Sequence, residues 1–333
     1  MKTGLITRYL PPLLLLAPLA TASDYQVPRT EFGHPNLRGV WNFSSDVPLE
    51  RPLEQLDKET LSIEELGAKR DQAKRASERW ENYTGHDRGV GGYNAFWIES
   101  HAQSNDLRTS LIVDPPNGRL PELVEGAVIQ RGGLGPDIPG TRPVRYRVGG
   151  IGKTGPEDRG LSERCLKGFN SGPPFRPSLY NNNVQIFQTR DHVVVMTEMV
   201  HDARIIPLGD VPRMGKDMAR WSGQSRGHWE GDTLVVETEN FTDKMNSFRY
   251  EGIGSNMTLV ERFTRVDEDM MLYEFTLTDP ATYKQPFTVL VPMPRSDGQL
   301  YEYACHEGNY GMVNILAGAR QEEASQQAQA GTP

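Results

Sequence analysis

The fold of this chain is decided by Met257-Thr-Leu-Val-Glu-Arg-Phe-Thr-Arg-Val266, Asp267-Glu268-Asp269 and Met270-Met-Leu-Tyr-Glu-Phe-Thr-Leu-Thr278. The two longer segments contain many β-branched and aromatic residues, which are typical of β-strands. The acidic tripeptide between them is a short polar connection of the kind that joins two strands into a hairpin. This stretch therefore predicts two neighbouring antiparallel strands.

The same alternation of strand and turn continues on both sides of this hairpin. Further strand-like runs occupy Val184–Thr189, His192–Val200, Ala203–Leu208, Gly227–Glu230, Thr233–Phe241, Phe287–Pro294 and Gln299–Ala304. About nine short strands in sequential hairpins predict a mainly β, antiparallel meander. Closure removes the unpaired edges of such a meander, so an up-and-down, calycin-like barrel is the first expectation and a β-sandwich the second.

The remaining regions are expected to frame this barrel-like domain, which is assigned to residues 161–320. Residues 23–160 are predicted to form an irregular Pro-punctuated arm, a helix over 61–80 and a Gly/Pro-rich loop region. Ser62 and Glu65 form a capping-box pattern at the start of that peripheral helix. Residues 321–333 are small and polar, and disorder is predicted for them.

The first 22 residues have the pattern of a cleavable secretory signal peptide. Lys2 and Arg8 precede an apolar run over residues 10–20, and Ala20-Thr-Ala22 is a small-residue cleavage pattern. The run is too short to span a membrane, and no later transmembrane segment is expected. These features predict a periplasmic or secreted protein.

The only two cysteines, Cys165 and Cys305, are expected to form a disulfide bond in an oxidising compartment. The alternative is a catalytic thiol at Cys305, because His306 follows it directly and could act as the base. A free thiol would be open to oxidation after export, which favours the disulfide.

The net charge of −8 and the pI near 5.5 argue against nucleic acid as a partner. No nucleotide-binding glycine pattern follows a strand and opens a helix, so no cofactor is predicted. The His and Cys residues have none of the usual metal-ligand spacings, so no metal is predicted either. The alternative is a two-His, one-carboxylate set formed across strands by His201, His306 and either Glu198 or Glu307. The expected partner is a small-molecule substrate or ligand.

A first group of candidate site residues lies in His201-Asp202-Ala203-Arg204, at the end of a predicted strand. His201 could act as a general acid or base, while Asp202 and Arg204 could bind substrate or stabilise an oxyanion. The alternative is a hairpin tip in which Asp202 pairs with Arg204. Glu198 lies on the same predicted face, and Arg204 is its expected ion-pair partner.

A second group lies in Tyr301-Glu-Tyr-Ala-Cys-His-Glu-Gly-Asn-Tyr-Gly311, where a disulfide would hold His306 and Glu307 in a rigid setting. A histidine beside a carboxylate is suited to acid–base catalysis near neutral pH. Tyr180 and Asn183 of Tyr180-Asn-Asn-Asn183 are further candidates for substrate binding, because amides both donate and accept hydrogen bonds. The alternatives are a disulfide-linked loop and an ordinary Asn-rich turn.

Several long motifs together resemble one uncharacterised family of exported bacterial proteins. The motifs are Tyr93-Asn-Ala-Phe-Trp97, Ser110-Leu-Ile-Val-Asp-Pro-Pro116, the Tyr180–Asn183 motif, His201-Asp-Ala-Arg-Ile-Ile-Pro207, Gly227-His-Trp-Glu-Gly-Asp-Thr-Leu-Val-Val-Glu237 and the Tyr301–Gly311 segment. His228 departs from the pattern, in which an arginine is expected. The resemblance covers most of the chain after the signal peptide, but it implies no established activity and no catalytic residues.

Two functional hypotheses follow from these residues. The first is an extracytoplasmic lyase, isomerase or hydrolase that uses His201, His306 and Glu307 for acid–base chemistry and Arg204 to bind an anionic part of the substrate. The second is a non-catalytic, calycin-like protein that binds a small molecule. Convergence of these side chains in one cleft would favour the enzyme, and their separation from a ligand cavity would favour the binding protein.

Overall fold

The structure is a computed structural model that describes residues 25–81, 105–127, 154–159, 161–215, 217–242 and 256–330. Within them the chain forms ten strands and two α-helices. The strands are β1 (Gly39–Asn42), β2 (Ile112–Asp114), β3 (Asn183–Gln188), β4 (His192–Thr197), β5 (Ala203–Pro207), β6 (Gln224–Glu230), β7 (Thr233–Glu239), β8 (Thr258–Arg265), β9 (Met270–Thr278) and β10 (Phe287–Ser296). The helices are α1 (Ile63–Glu81) and α2 (Tyr310–Ala330).

All ten strands belong to one antiparallel sheet, as the run of predicted hairpins indicates. The strand order is β5-β4-β3-β1-β10-β9-β8-β7-β6, and β2 pairs separately with β10. The chain thus forms two up-and-down units, β3 to β5 and β6 to β10, which β1 joins. The opening hairpin is β8–β9, with Phe263 opposite Tyr273.

The central strand β1 lies in the region that the sequence assigns to an irregular arm, and this part of the expectation is wrong. Gly39–Asn42 pairs with β3 on one side and β10 on the other. Trp41 is fully buried, as are its neighbours Leu37 and Phe43. The arm therefore supplies a strand whose burial connects the two halves of the sheet.

The two ends of the sheet, β5 and β6, approach each other without forming a continuous ladder. A single parallel bridge joins Leu208 to Gly227, where the Gly209 N–H donates to the Gly227 carbonyl at 3.2 Å. Within the described residues the sheet is thus not closed into a barrel. Apart from this bridge, no pairing joins β5 to β6 among the described residues.

The core lies on one face of the sheet and contains side chains from nearly every strand. Burial alternates along β9, where Met271, Tyr273, Phe275 and Leu277 are all fully buried. Each such large apolar side chain contributes about 1.5–3 kcal/mol when it leaves water. The two-residue period of the sequence thus directs one side of each strand into a common interior.

Helix α1 begins with the predicted capping box. The Ser62 N–H donates to Glu65 Oε2 at 2.8 Å, and the Glu65 N–H donates to Ser62 Oγ at 3.2 Å. A hydrogen bond from Lys58, followed by that from the Ser62 backbone, lowers the pKa of Glu65 to about 2. The sequence therefore locates the start of this helix correctly.

Two predictions near the C-terminus differ from the structure. Gln299–Ala304 forms no strand, because β1 already occupies the edge of β10 on which it would pair. Residues 321–330, for which the sequence predicts disorder, continue α2 to Ala330, since Ala, Gln and Glu favour helix. The predicted signal peptide and most of the Gly/Pro-rich loop region lie outside the described residues. No helix in the described part of the chain is long and apolar enough to cross a membrane.

Candidate functional site

Cys165 and Cys305 form the predicted disulfide bond, with an S–S distance of 2.07 Å. The bond excludes Cys305 as a free nucleophile. A hydrogen bond from Asn309 also holds the Tyr301–Gly311 segment in place, because Asn309 Nδ2 donates to the Glu163 carbonyl at 2.9 Å. The Tyr301–Gly311 segment is therefore fixed against the loop that contains Cys165.

His201 lies beside this segment, at a sharp bend after β4. A short 3-10 turn covers Met199–His201, and both Val200 (φ 62°) and His201 (φ 44°) have left-handed backbone conformations. Such a conformation is unfavourable for a β-branched residue such as Val200. His201 Nδ1 lies 3.3 Å from the carbonyl oxygen of Tyr303. The turn thus brings one predicted acid–base residue next to the disulfide-linked segment.

The other polar residues at this end of the sheet are paired with one another. Asp202 forms a salt bridge with Lys167, whose side chain is only 10% exposed. Asn183 Nδ2 donates to Glu198 Oε2 at 2.9 Å and accepts at Oδ1 from Asn42 Nδ2 at 2.9 Å. These contacts join the ends of β1, β3 and β4. The pairing of Asp202 with Arg204, weighed as an alternative, does not occur.

The Tyr180–Asn183 motif acts mainly as a turn. Asn182 is fully buried, and its side chain accepts from the Ser178 N–H at 2.8 Å and donates to the Ser178 carbonyl at 2.9 Å. The Tyr180 ring packs edge-on against Phe169 at 5.6 Å. The hydrogen bonds of Asn182 therefore close the turn before β3.

Arg204 points into the interior and belongs to a buried polar cluster with Glu261 and Tyr273. Its Nη1 and Nη2 donate to the two carboxylate oxygens of Glu261 at 2.5 and 3.0 Å, and the Tyr273 hydroxyl donates to Glu261 Oε1 at 2.8 Å. Glu261 is fully buried, and the guanidinium also lies over the Phe175 ring at 5.7 Å. This cluster crosses the core from β5 to β8.

Burial and charge act in opposite directions on this cluster. Burial disfavours the charged form of Arg204, but the charge and hydrogen bonds of Glu261 outweigh it and raise the pKa of the guanidinium. Burial, together with the Glu261 charge, raises the pKa of Tyr273 well above its ordinary value. Arg204 is therefore a permanent cation and Tyr273 a neutral donor at physiological pH.

The predicted pairing of Arg204 with Glu198 is wrong. The 3-10 turn interrupts the alternation of faces between Glu198 and Arg204, so the two side chains do not share a strand surface. Glu198 bonds to Asn183 instead, and Arg204 reaches Glu261 on a strand distant in sequence.

A cavity of about 830 Å³ lies in the gap between the separated edges of β5 and β6. The loop between these strands and the residue Thr242 complete its lining. The backbone of Arg220 is held by the β7 end of the sheet, since its N–H donates to the Asn240 carbonyl at 3.0 Å and its carbonyl accepts from the Thr242 N–H at 3.0 Å. The loop wall of the cavity is thus tied to the sheet by backbone hydrogen bonds.

Two arginines, Arg204 and Arg220, are the charged residues of the cavity lining, which contains no carboxylate among the described residues. Arg204 is neutralised by Glu261, whereas the exposed Arg220 side chain forms no ion pair within the described part of the chain. Apolar lining comes from Ile205, Val211, Met214 and Trp221, with others. Arg220 therefore gives the described lining a net positive charge, although the protein as a whole has a net charge of −8.

The predicted acid–base residues do not line this cavity. His306 and Glu307 are exposed, and among the described residues their side chains form no hydrogen bond or ion pair. The structure brings His201 to the backbone of the Tyr301–Gly311 segment, but Arg204 is the only residue of the predicted set in the cavity wall. No group of three or more His, Cys, Asp or Glu side chains suited to a metal ion occurs in the described ranges.

Sequence reasoning missed Glu261 and Arg220. Glu261 could have been found, because it falls on the inward face of β8 between Leu259 and Phe263, where a carboxylate requires a buried partner. Arg220 carries no such signal, since its place in the cavity depends on how a loop returns to the sheet. Comparisons with protein-family models, with curated proteins and with solved structures find no significant match to this chain.

Proposed function

We propose that this protein binds a small anionic ligand in the cavity between β5 and β6 and releases it chemically unchanged. The observation that carries this proposal is the cavity itself, which has two arginines and no carboxylate in its described lining. Its volume of about 830 Å³ lies within the range of small-molecule sites, about 300–1,000 Å³.

The composition of the wall supports an amphipathic ligand. Ile205, Met214 and Trp221 offer apolar contact to the body of a ligand, while Arg220 offers an uncompensated cation to its charged group. A charge-assisted hydrogen bond from a guanidinium to a carboxylate, sulfonate or phosphate is stronger than a neutral one. Arg204 lies at the buried side of the wall, where Glu261 neutralises its charge and accepts the hydrogen bonds that hold it in place.

The separation of the predicted acid–base residues from the cavity supports binding without chemistry. General acid–base catalysis requires a titratable group within hydrogen-bond reach of the reacting atom. His201, His306 and Glu307 are absent from the described cavity wall, and Arg204 cannot serve as an acid or base because its raised pKa keeps it protonated.

Calorimetric titration with anilinonaphthalene sulfonate, an apolar ring system with one negative charge, tests this proposal. We expect saturable binding of one probe per chain. Ala203→Trp places a large ring at the cavity wall and should abolish it, whereas Thr258→Trp, at an exposed strand position outside the cavity, should not. Absence of saturable binding, or equal binding by the Ala203→Trp variant, would show that the cavity is not a ligand site.

A second candidate function, acid–base catalysis centred on His201, is favoured by one specific observation. The left-handed conformations at Val200 and His201 cost free energy, and strained backbone is found preferentially at active sites. This enzyme would be a lyase, isomerase or hydrolase, with His306 and Glu307 supplied by the adjacent disulfide-linked segment.

Hydrolysis of a panel of p-nitrophenyl esters tests the hydrolase form of this second candidate. His201→Ala and His306→Ala should each reduce turnover about 100-fold or more while circular dichroism stays unchanged. Wild-type turnover in both variants would exclude the acid–base assignment.

We propose that the sheet curves into an incomplete calycin-like barrel in which β5 and β6 face each other across the gap, because the Leu208–Gly227 bridge joins its two ends and the Arg204–Glu261 pair links β5 to β8 across the core. The disulfide supports export to the periplasm or the outside of the cell, since such bonds persist in oxidising compartments. The long sequence motifs support membership of the family of exported bacterial proteins.

A further inference from the structure

We infer that the natural ligand of the cavity is the C-terminal end of an extended peptide, which pairs with the free edges of β5 and β6 and places its carboxylate against Arg220. This inference rests on the proposed function and names the ligand class of the same site. It accounts for the unpaired backbone groups in the gap, for which a compact ligand offers no partners.

The hydrogen bonds of β5 show which of its backbone groups face the gap. Leu208 N–H donates to the Asp191 carbonyl at 2.8 Å, and Thr197 N–H donates to the Asp202 carbonyl at 2.9 Å. Even-numbered residues of this stretch therefore bond to β4, and the antiparallel ladder alternates. Ala203 and Ile205 must then direct their N–H and C=O groups toward β6.

The facing edge of β6 presents backbone groups in the same way. The Gly227 carbonyl accepts from Gly209 across the gap, so residues at alternate positions, including Ser225, face β5. Beyond the Leu208–Gly227 bridge, no pairing joins β5 to β6 in the described part of the chain, so the outward backbone groups of Ala203, Ile205 and Ser225 have no strand partner there. Two opposed rows of donors and acceptors thus border the cavity, and such edges bind extended peptides through main-chain hydrogen bonds.

The positive charge of the cavity lining favours the C-terminal end of a peptide over its N-terminal end. A free N-terminus or a basic side chain would be repelled by Arg220, whose charge no carboxylate of the described wall offsets. A C-terminal carboxylate gains a charge-assisted hydrogen bond from Arg220 instead. The apolar residues Met214 and Trp221 are available to the alternate side chains of the peptide.

The length of β5 limits the size of the bound segment. Its five residues, Ala203–Pro207, extend over about 13 Å at roughly 3.3 Å per residue. Pro207 offers no N–H, and the Leu208–Gly227 bridge closes the gap just beyond it. About four residues of an extended peptide can therefore pair before the edges meet.

The test uses an acetyl-capped tetrapeptide of alanine and leucine in three forms, titrated into the purified protein. The forms are the free acid, the C-terminal amide and the free acid N-methylated at alternate residues. We expect the free acid to bind at least about tenfold more tightly than either of the others. Arg220→Gln should remove the difference between acid and amide. Arg213→Gln should retain it, because Arg213 lies outside the lining and pairs with Glu239.

The outcomes separate this inference from the proposed function. Equal affinity for the free acid and its N-methylated form, or for acid and amide, overturns the peptide assignment, and saturable binding of anilinonaphthalene sulfonate would leave the cavity as a ligand site. Failure of that probe to bind overturns the proposed function itself. Slowed hydrogen exchange at the Ala203, Ile205 and Ser225 amides on addition of the free acid is the expected direct signature, and unchanged exchange at all three contradicts strand pairing.

Discussion

Removal of the Glu261 carboxylate is the perturbation whose effect follows most directly from the structure. Glu261→Gln keeps the size of the side chain but leaves the Arg204 guanidinium, 9% exposed, without its counter-charge. Removing one partner of a buried, hydrogen-bonded ion pair costs about 3–5 kcal/mol, because the remaining charge stays desolvated. We expect a loss in this range for Glu261→Gln and for Arg204→Met.

The double variant Arg204→Met/Glu261→Gln should recover much of this loss, because it leaves no buried charge. The coupling energy of the cycle should then be at least about 2 kcal/mol, as for residues in direct contact. Because Arg204 lies on β5 and Glu261 on β8, this coupling also reports that β5 lies against β8 across the core in solution.

Equilibrium unfolding in urea, followed by tryptophan fluorescence, measures these values. Glu122→Gln, which breaks the exposed pair with Lys284, is the matched control and should leave the midpoint unchanged. Additive single-variant effects below about 1 kcal/mol would refute the reasoning, because they would mean that the pair is hydrated and that β5 lies away from β8.

Three further predictions concern stability. Replacing Cys165 and Cys305 together by serine removes a crosslink that spans 140 residues, and on the chain-entropy model this should lower the free energy of unfolding by about 5 kcal/mol. Urea unfolding measures this loss, and a loss below about 1 kcal/mol would contradict the prediction. The hydroxyl of Tyr273 contributes its full stabilisation below pH ~10, and this contribution is lost as pH rises through the raised folded-state pKa of Tyr273. The free energy of unfolding of wild type should therefore exceed that of Tyr273→Phe by less at higher pH, with the difference shrinking by about 1.4 kcal/mol per pH unit above pH 10. A constant difference would contradict the raised pKa. Gly223→Ala should lower the melting temperature more than Gly231→Ala. Both glycines have positive φ, but only at Gly223 would the added Cβ lie 2.7 Å from a backbone carbonyl oxygen, that of Glu239. Equal shifts in melting temperature would show that this clash does not occur.

The sheet was largely predictable because its information is local. In the β8–β9 hairpin, side chains of alternate character and a polar turn specify two strands and their buried face within about twenty residues of sequence. The strand β1 was not predictable in this way, because four residues in a Pro-punctuated stretch gain their strand conformation only from partners in β3 and β10. Long-range pairing of this kind leaves no local periodicity.

The candidate site was predictable only in part, for a related reason. Cys165 and Cys305 were paired correctly because a disulfide depends on compartment and cysteine number rather than on geometry. Arg204 was identified as a site residue, but its partner was sought two or six residues away, at Asp202 or Glu198, instead of across the core. The cavity forms where the two ends of the sheet meet, so residues that line it, such as Arg220, acquire their role only in the folded chain.

A crystal structure of the protein with anilinonaphthalene sulfonate would show whether the gap between β5 and β6 holds an anionic ligand. We expect the rings of the probe between Ile205 and Trp221, with the sulfonate within hydrogen-bond distance of the Arg220 guanidinium. A probe bound elsewhere, with the gap empty or closed by continuous hydrogen bonds between β5 and β6, would contradict it.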